Sequence, residues 1–233
     1  MWYIVVYTLD KKFVVLIGKR FKVCWVCFLM GQEKVWNTIS GKWAKFRVRP
    51  TREVVEFLCG KNGRVLDLGC GSGRHVPPWD LKFGIGGLDD LEFYGVDFSD
   101  KLLDIARGKR YTDLKIGYTW DVPYDDEFFD YVVFSRVLHC VDSAEGRRGS
   151  LEEVWRVLRS GGEALITSWG KKGRERLGGE KEGFVSWDVD GEKVMRYTYV
   201  YDLDELRREL EDIGFEILSL DDGDNLVAWV RKL

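Results

Sequence analysis

The chain has 233 residues, 45% hydrophobic and 14% aromatic, which suits one sizeable core and excludes a disordered or collagen-like polymer. Charged residues make up 32%, and no apolar run approaches the ~18 residues of a membrane span, which argues against a membrane-spanning protein. The net charge of −3 is uneven: residues 11–52 carry eleven Lys or Arg against Glu33 alone, and the other 25 bases and 38 acids outweigh them. Such an asymmetry points either to an acidic partner such as nucleic acid or to a solvated basic face.

Residues 1–29 fall into three β-branched or aromatic bursts separated by Asp10-Lys11-Lys12 and Gly18-Lys19-Arg20, a strand-turn-strand-turn-strand pattern. They read as a β-rich extension or as a misassigned start ahead of Met30, with residues 30–233 as one domain. No basic region precedes the apolar start, which disfavours a signal peptide. The cysteines Cys24, Cys27, Cys59, Cys70 and Cys140 are odd in number and scattered, which fits a reducing cytoplasm better than a disulfide framework. Cys24 and Cys27 have zinc-ligand spacing, but no second pair follows and the chain has two histidines, so no metal is expected.

From Glu33 onward Val35, Trp36, Ile39 and Trp43 recur with helical spacing, and a second helix follows Pro50 with Val54, Val55, Phe57 and Leu58. Strand and helix then alternate: strands at 64–68, 93–96, 131–134 and 164–168, helices at 101–107 and 151–158. This predicts an α/β, doubly wound, mostly parallel sheet with helices on both faces. A helix at 203–210 leads into strands 215–220 and 226–230, joined by a short Asp/Gly turn, so the chain should end in an antiparallel hairpin.

The strand Arg64–Leu68 runs into Gly69-Cys70-Gly71-Ser72-Gly73, with Asp67 inside it, and the next strand ends in Asp97. Glycines there let the backbone turn tightly and approach a ligand, and Asp97 suits a ribose diol. The pattern resembles the class I S-adenosylmethionine-dependent methyltransferases, which implies a seven-stranded Rossmann-like methyltransferase fold. The resemblance implies cofactor contacts from Asp67, Gly69, Gly71, Gly73 and Asp97. Where that family often has an acid facing adenine, this chain has Tyr118, so adenine falls to Tyr118 and Thr119, with Asp121 as a displaced acid. A tight turn alone is the plainer explanation of the glycines.

Two flanking segments narrow the resemblance. Val35-Trp36, Ile39-Ser40, Trp43, Arg47 and Pro50, together with Phe184-Val185-Ser186-Trp187 and Arg196-Tyr197-Thr198-Tyr199, are similar to the tRNA wobble-uridine carboxymethyl methyltransferases. Ser186, Thr198, Tyr199 and Cys140 depart from that family's residues. The resemblance implies methyl esterification of a 5-carboxymethyl wobble uridine in the tRNA anticodon loop. For that chemistry Arg196 is the candidate to position the carboxylate, because a guanidinium forks onto two oxygens, with Tyr197 and Trp187 as candidates to stack the base and His139 to line the methyl channel. Ordinary roles compete: Trp187 as core, Arg196 as a surface ion pair, His139 as a helix-start residue. The family also implies a small zinc-containing activator protein on the sheet edge, a place that residues 1–29 could instead cover in cis. A small-molecule methyltransferase or an inactive cofactor-binding subunit are the alternative functions.

Overall fold

A computed structural model describes residues 31–77 and 90–233. The expected extension 1–29, with Cys24 and Cys27, lies outside the described residues. In chain order the described residues form α1 (Gln32–Phe46), α2 (Arg52–Leu58), β1 (Gly63–Leu68), β2 (Leu91–Asp97), α3 (Asp100–Ala106) and β3 (Tyr111–Ile116). There follow β4 (Phe129–Ser135), a 3-10 turn (Leu138–Cys140), α4 (Ala144–Val157), β5 (Leu158–Trp169) and α5 (Lys171–Arg176). The last elements are β6 (Glu182–Val189), β7 (Glu192–Tyr199), α6 (Leu203–Ile213), β8 (Phe215–Asp222) and β9 (Asn225–Lys232).

Seven strands form one sheet in the order β3-β2-β1-β4-β5-β9-β8. The first five run parallel, and β9 lies antiparallel to both β5 and β8. The expected doubly wound sheet with its terminal hairpin is therefore present, and β6 with β7 makes a separate antiparallel pair.

Successive strand residues point to opposite faces, and each face meets different helices. On β1, β4 and β5 the residues Leu66, Leu68, Val132, Phe134, Ala164 and Ile166 pack with Leu151 and Val154 of α4 and with Leu206 and Leu210 of α6. The alternate residues Val65, Val133 and Leu165 pack on the other face against Val54, Phe57 and Leu58 of α2. A third cluster joins Val35, Trp36 and Ile39 of α1 to Leu102 of α3 and Val194 of β7, which fixes the β6–β7 pair over the end of the sheet.

Local chemistry sets the helix ends. The Ser99 hydroxyl accepts from the Leu102 N–H at the start of α3, and Ser143 accepts from Gly146 at the start of α4. Ser143 starts α4 seven residues before the expected helix, because the first half, Ala144–Ser150, is polar and carries no apolar stripe. Asp202 and Glu205 form a capping box on α6, and Gly214 at φ +106° ends it. No helix among the described residues is long and apolar enough to cross a membrane.

Candidate functional site

The parallel strands β1, β2, β4 and β5 end side by side. In an open α/β sheet the crevice beyond the carboxyl ends, where the strand order reverses, is where ligands bind. Here the reversal falls between β1 and β4, and a cavity of about 260 Å³ opens there. Its wall takes Gly69 and Gly71 from just after β1, Asp97 from β2, Ser135 from the end of β4 with Arg136 after it, and Trp169 from β5.

The three glycines divide their work. Gly69, Gly71 and Gly73 all have positive φ, +70°, +56° and +77°. A Cβ on Gly69 would lie 2.5 Å from the Val137 side chain, and one on Gly73 3.0 Å from Lys109 and Tyr111. A Cβ on Gly71 would meet nothing within 4 Å. Packing therefore requires two of the glycines, whereas Gly71 keeps its space open toward the cavity. Gly73 does not line the cavity. The N–H groups of Gly69 and Cys70 donate to the Val96 carbonyl at 2.8 and 3.0 Å, which ties the loop to β2.

Asp97 is buried and accepts from the N–H of Gly71 at 2.9 Å and of Ser99 at 2.8 Å. A carboxylate offers about four lone-pair sites, so two remain for a ligand. Burial pushes its carboxyl up to about 6, against the pull of those two bonds. Asp67 is placed differently. It is 1% exposed, accepts from the Tyr111 hydroxyl at 2.8 Å, and lies 3.1 Å from Nδ1 of His75, behind the loop. Asp67 holds the loop from beneath and does not line the cavity, whereas its partner His75 does.

The residues expected around adenine are scattered. Tyr118 is exposed, stacks on Phe98 with ring centroids 6.0 Å apart and on Trp120 at 4.9 Å, and donates to Glu33. Thr119 is buried in a hydroxyl pair with Ser150 at 2.6 Å. Asp121 is exposed and bridges back to Tyr118. None of the three lines the cavity, and Phe98 stands at its wall instead.

On the opposite side, β7 presents Arg196. Its neighbours in register, Val185 and the Trp187–Val194 pair, share its face of the hairpin. The guanidinium is 4% exposed and sits 5.5, 5.1 and 5.5 Å from the rings of Trp36, Trp43 and Trp187. Its Nε has no hydrogen-bond partner, and burial pulls its pKa down. Among the described residues no carboxylate is in ion-pair reach of it, so the surface ion pair considered from sequence is overturned. Trp187 lines the cavity and packs edge-on against Trp43 at 5.0 Å. Tyr197 faces the other way, because adjacent strand residues alternate. Its hydroxyl donates to Glu182 at 2.6 Å and its ring packs on Phe184. His139 is 3% exposed, stacks on Trp169 at 5.0 Å, leaves Nδ1 without a partner, and is driven down to about 3 by burial and the nearby Arg196 and Arg136. It is neutral at any physiological pH.

The cavity wall also holds Arg47, Arg74, Arg136 and Arg176, of which the sequence pointed only to Arg47, as part of the flanking segment similar to the tRNA methyltransferases. Arg136 could have been suspected from its place after a strand end. Arg74 and His75 carried no signal, since they follow the glycine loop at the edge of the stretch that lies outside the described residues. Among the described residues no three His, Cys, Asp or Glu cluster as metal ligands.

Residues 66–166 match the methyltransferase domain family. That matched stretch is a methyltransferase domain. The tRNA (carboxymethyluridine(34)-5-O)-methyltransferase of Saccharomyces cerevisiae is 31% identical over 164 residues, covering 66% of this chain and 55% of the relative, so the chain spans about half the length of that protein. Among solved structures, an S-adenosylmethionine-dependent methyltransferase of Methanosarcina mazei matches with TM-score 0.61 and 19% identity over 79% of this chain and 99% of that one. The methyltransferase-fold partner of the Haloferax volcanii Trm112 methyltransferase activator, solved as their complex, gives 0.62 and 16% over 87% and 98%. The fold is that of S-adenosylmethionine-dependent methyltransferases. The domain implies S-adenosylmethionine as methyl donor, and two observations fit it: the open face of Gly71 and the free lone pairs of Asp97 beside it.

Proposed function

We propose that the protein is an S-adenosylmethionine-dependent methyltransferase that forms a methyl ester on a 5-carboxymethyl group of a tRNA wobble uridine. The observation that carries this reading is Arg196: a buried guanidinium with an unpartnered Nε, ringed by three indoles, facing the same cavity as Gly71 and Asp97. A buried cation without an anion is costly, and an acceptor carboxylate would supply the missing partner. The 31% identity to the yeast enzyme supports the same acceptor.

When bound, S-adenosylmethionine supplies a sulfonium methyl as electrophile. Gly71 and Asp97 would hold its adenosyl part. Arg196 forks onto the two oxygens of the acceptor and fixes their plane. An acceptor carboxylate is already ionised at neutral pH, so no general base is needed, and His139 held neutral is consistent with that. Trp36, Trp43 and Trp187 wall the guanidinium from water, and orientation of this kind can contribute up to about 7 to 11 kcal/mol. The base itself stacks on Trp187 rather than on Tyr197.

This reading puts the enzyme in a reducing cytoplasm, which the free thiols Cys59, Cys70 and Cys140 suit. It also includes an activator protein at the sheet edge. β3 is one of the two end strands of the sheet among the described residues and exposes Ile116 by 62%, and such an unpaired edge can take an added strand. The test is methyl transfer from label-bearing cofactor to tRNA with and without the carboxymethyl group. Label that appears only on the carboxymethylated tRNA and is released by mild base is the expected result. Base-stable label, or transfer to the unmodified tRNA, would refute ester formation.

A further inference from the structure

Arg196 answers to one carboxylate, yet four more guanidinium groups, Arg47, Arg74, Arg136 and Arg176, share the cavity wall. Against them the wall offers one acid, Asp97, whose hydrogen bonds go to two backbone N–H groups and to none of the four guanidiniums. Among the described residues only Arg136 has a carboxylate in ion-pair reach, Glu53 at 3.9 Å. The four also repel one another: burial and then Arg136 push Arg74 down to about 10, and burial with Arg136 and Arg176 lowers Arg47.

The cluster is held in place. Arg136 has φ +61°, a region unfavourable for a residue with a side chain, and its N–H is anchored on both the carbonyl and the hydroxyl of Thr167 at 3.0 and 2.9 Å. Arg74 donates from Nε to Nε2 of His75 at 3.0 Å, so the ring proton sits on Nδ1 and is donated to Asp67 at 3.1 Å. Asp67, which stands away from the cavity wall, thereby aims Arg74 through His75.

We infer that Arg47, Arg74, Arg136 and Arg176 form a phosphate site, distinct from the carboxylate site at Arg196, that takes the backbone phosphates flanking the acceptor nucleotide. Planar guanidinium forks match phosphate oxygens, and extruding a base brings its flanking phosphates to the pocket mouth. The inference deepens the reading of the acceptor as a nucleotide in a strand and rests on it.

The test uses ligands without a carboxymethyl group, so that it stands apart from the chemistry of Arg196. Uridine, uridine 3′,5′-bisphosphate and the trinucleotide UpUpU are titrated into the full chain saturated with S-adenosylhomocysteine. Bisphosphate and trinucleotide should each bind at least about tenfold more tightly than uridine, the factor one charge-assisted hydrogen bond supplies. The gap should close in Arg136→Gln and narrow in Arg176→Ala, whose exposed position leaves folding intact. His75→Ala should lose the same affinity as Arg74→Gln, and the double variant no more than either, which separates aiming from general destabilisation. Equal binding of uridine and bisphosphate, a gap that survives in the arginine variants, or tight bisphosphate binding without tight trinucleotide binding would each overturn the site. Failure of methyl transfer to carboxymethylated tRNA with the gap intact would instead refute only the acceptor assignment.

Discussion

Asp97 and Asp121 are both acids that the sequence offers to the cofactor, but only Asp97 reaches the cavity. Asp97→Ala should weaken S-adenosylmethionine binding by about 1.5 to 3 kcal/mol, the worth of a hydrogen bond to a charged acceptor, and Asp121→Ala by much less. Calorimetric titration of the two variants decides it, and equal affinities would remove Asp97 from the cofactor site. Its acidity adds a second expectation. Burial raises the Asp97 carboxyl to about 6, so the ionised acceptor is present above that pH and is lost as pH falls through it. Cofactor affinity should therefore drop between pH 7 and pH 5 in the wild type and stay flat in Asp97→Ala. A wild-type affinity unchanged over that range would contradict the role.

The glycine loop shows what an element contributes beyond its residues. Gly69→Ala drives a Cβ into Val137 at 2.5 Å and should lower the melting temperature markedly. Gly71→Ala meets no atom, so its stability loss should stay near the roughly 1 kcal/mol of a side chain at positive φ, whereas cofactor binding suffers. Thermal melts with and without S-adenosylhomocysteine separate the two: ligand should stabilise Gly69→Ala and barely shift Gly71→Ala. The reverse pattern would mean that Gly71 is structural. Elements buried on both faces were legible in the sequence, because β1, β2, β4 and β5 are short apolar runs ending in turn signals. β3 was not, since Tyr111–Ile116 is an edge strand with polar alternation and no fully buried residue. The β6–β7 hairpin was missed although Asp190-Gly191, both at positive φ, is a strong turn signal. Its strands lie outside the main sheet, so the α/β alternation gave no place for them. The same oversight assigned Arg196 and Tyr197 to one pocket, when period-two alternation sends neighbours to opposite faces.

At the scale of the whole molecule the basic stretch is partly neutralised by the protein itself. Lys42 pairs with Asp188 at 3.0 Å and Arg52 with Glu56 at 2.6 Å, while Lys45 and Arg49 stand exposed and Arg47 lines the cavity. Alanine at Lys45, Arg47 and Arg49 should flatten the slope of log affinity for tRNA against log salt by roughly 2, from about 0.7 to 0.9 per phosphate contact. Binding measured across salt concentrations checks this, and an unchanged slope would make the stretch a solvated face. The glycine loop and Asp97 were readable from sequence because each stands at the carboxyl end of a short apolar strand, β1 and β2. The arginine-lined half of the cavity was not, since the residue after α1, the loop after Gly73, the residue after β4, α5 and β7 each supply one guanidinium and meet only in the folded chain.

The central claim is that Arg196 positions an acceptor carboxylate, and single-turnover transfer to carboxymethylated tRNA under saturating cofactor tests it most directly. Arg196→Ala should keep its affinity for S-adenosylmethionine and lose about 100-fold or more in the rate of transfer, the scale of a misplaced nucleophile. Arg196→Lys should recover little, because an ammonium cannot fix the oxygen plane. An Ala variant that transfers methyl at the wild-type rate, or one that loses cofactor binding in step with activity, would contradict the account.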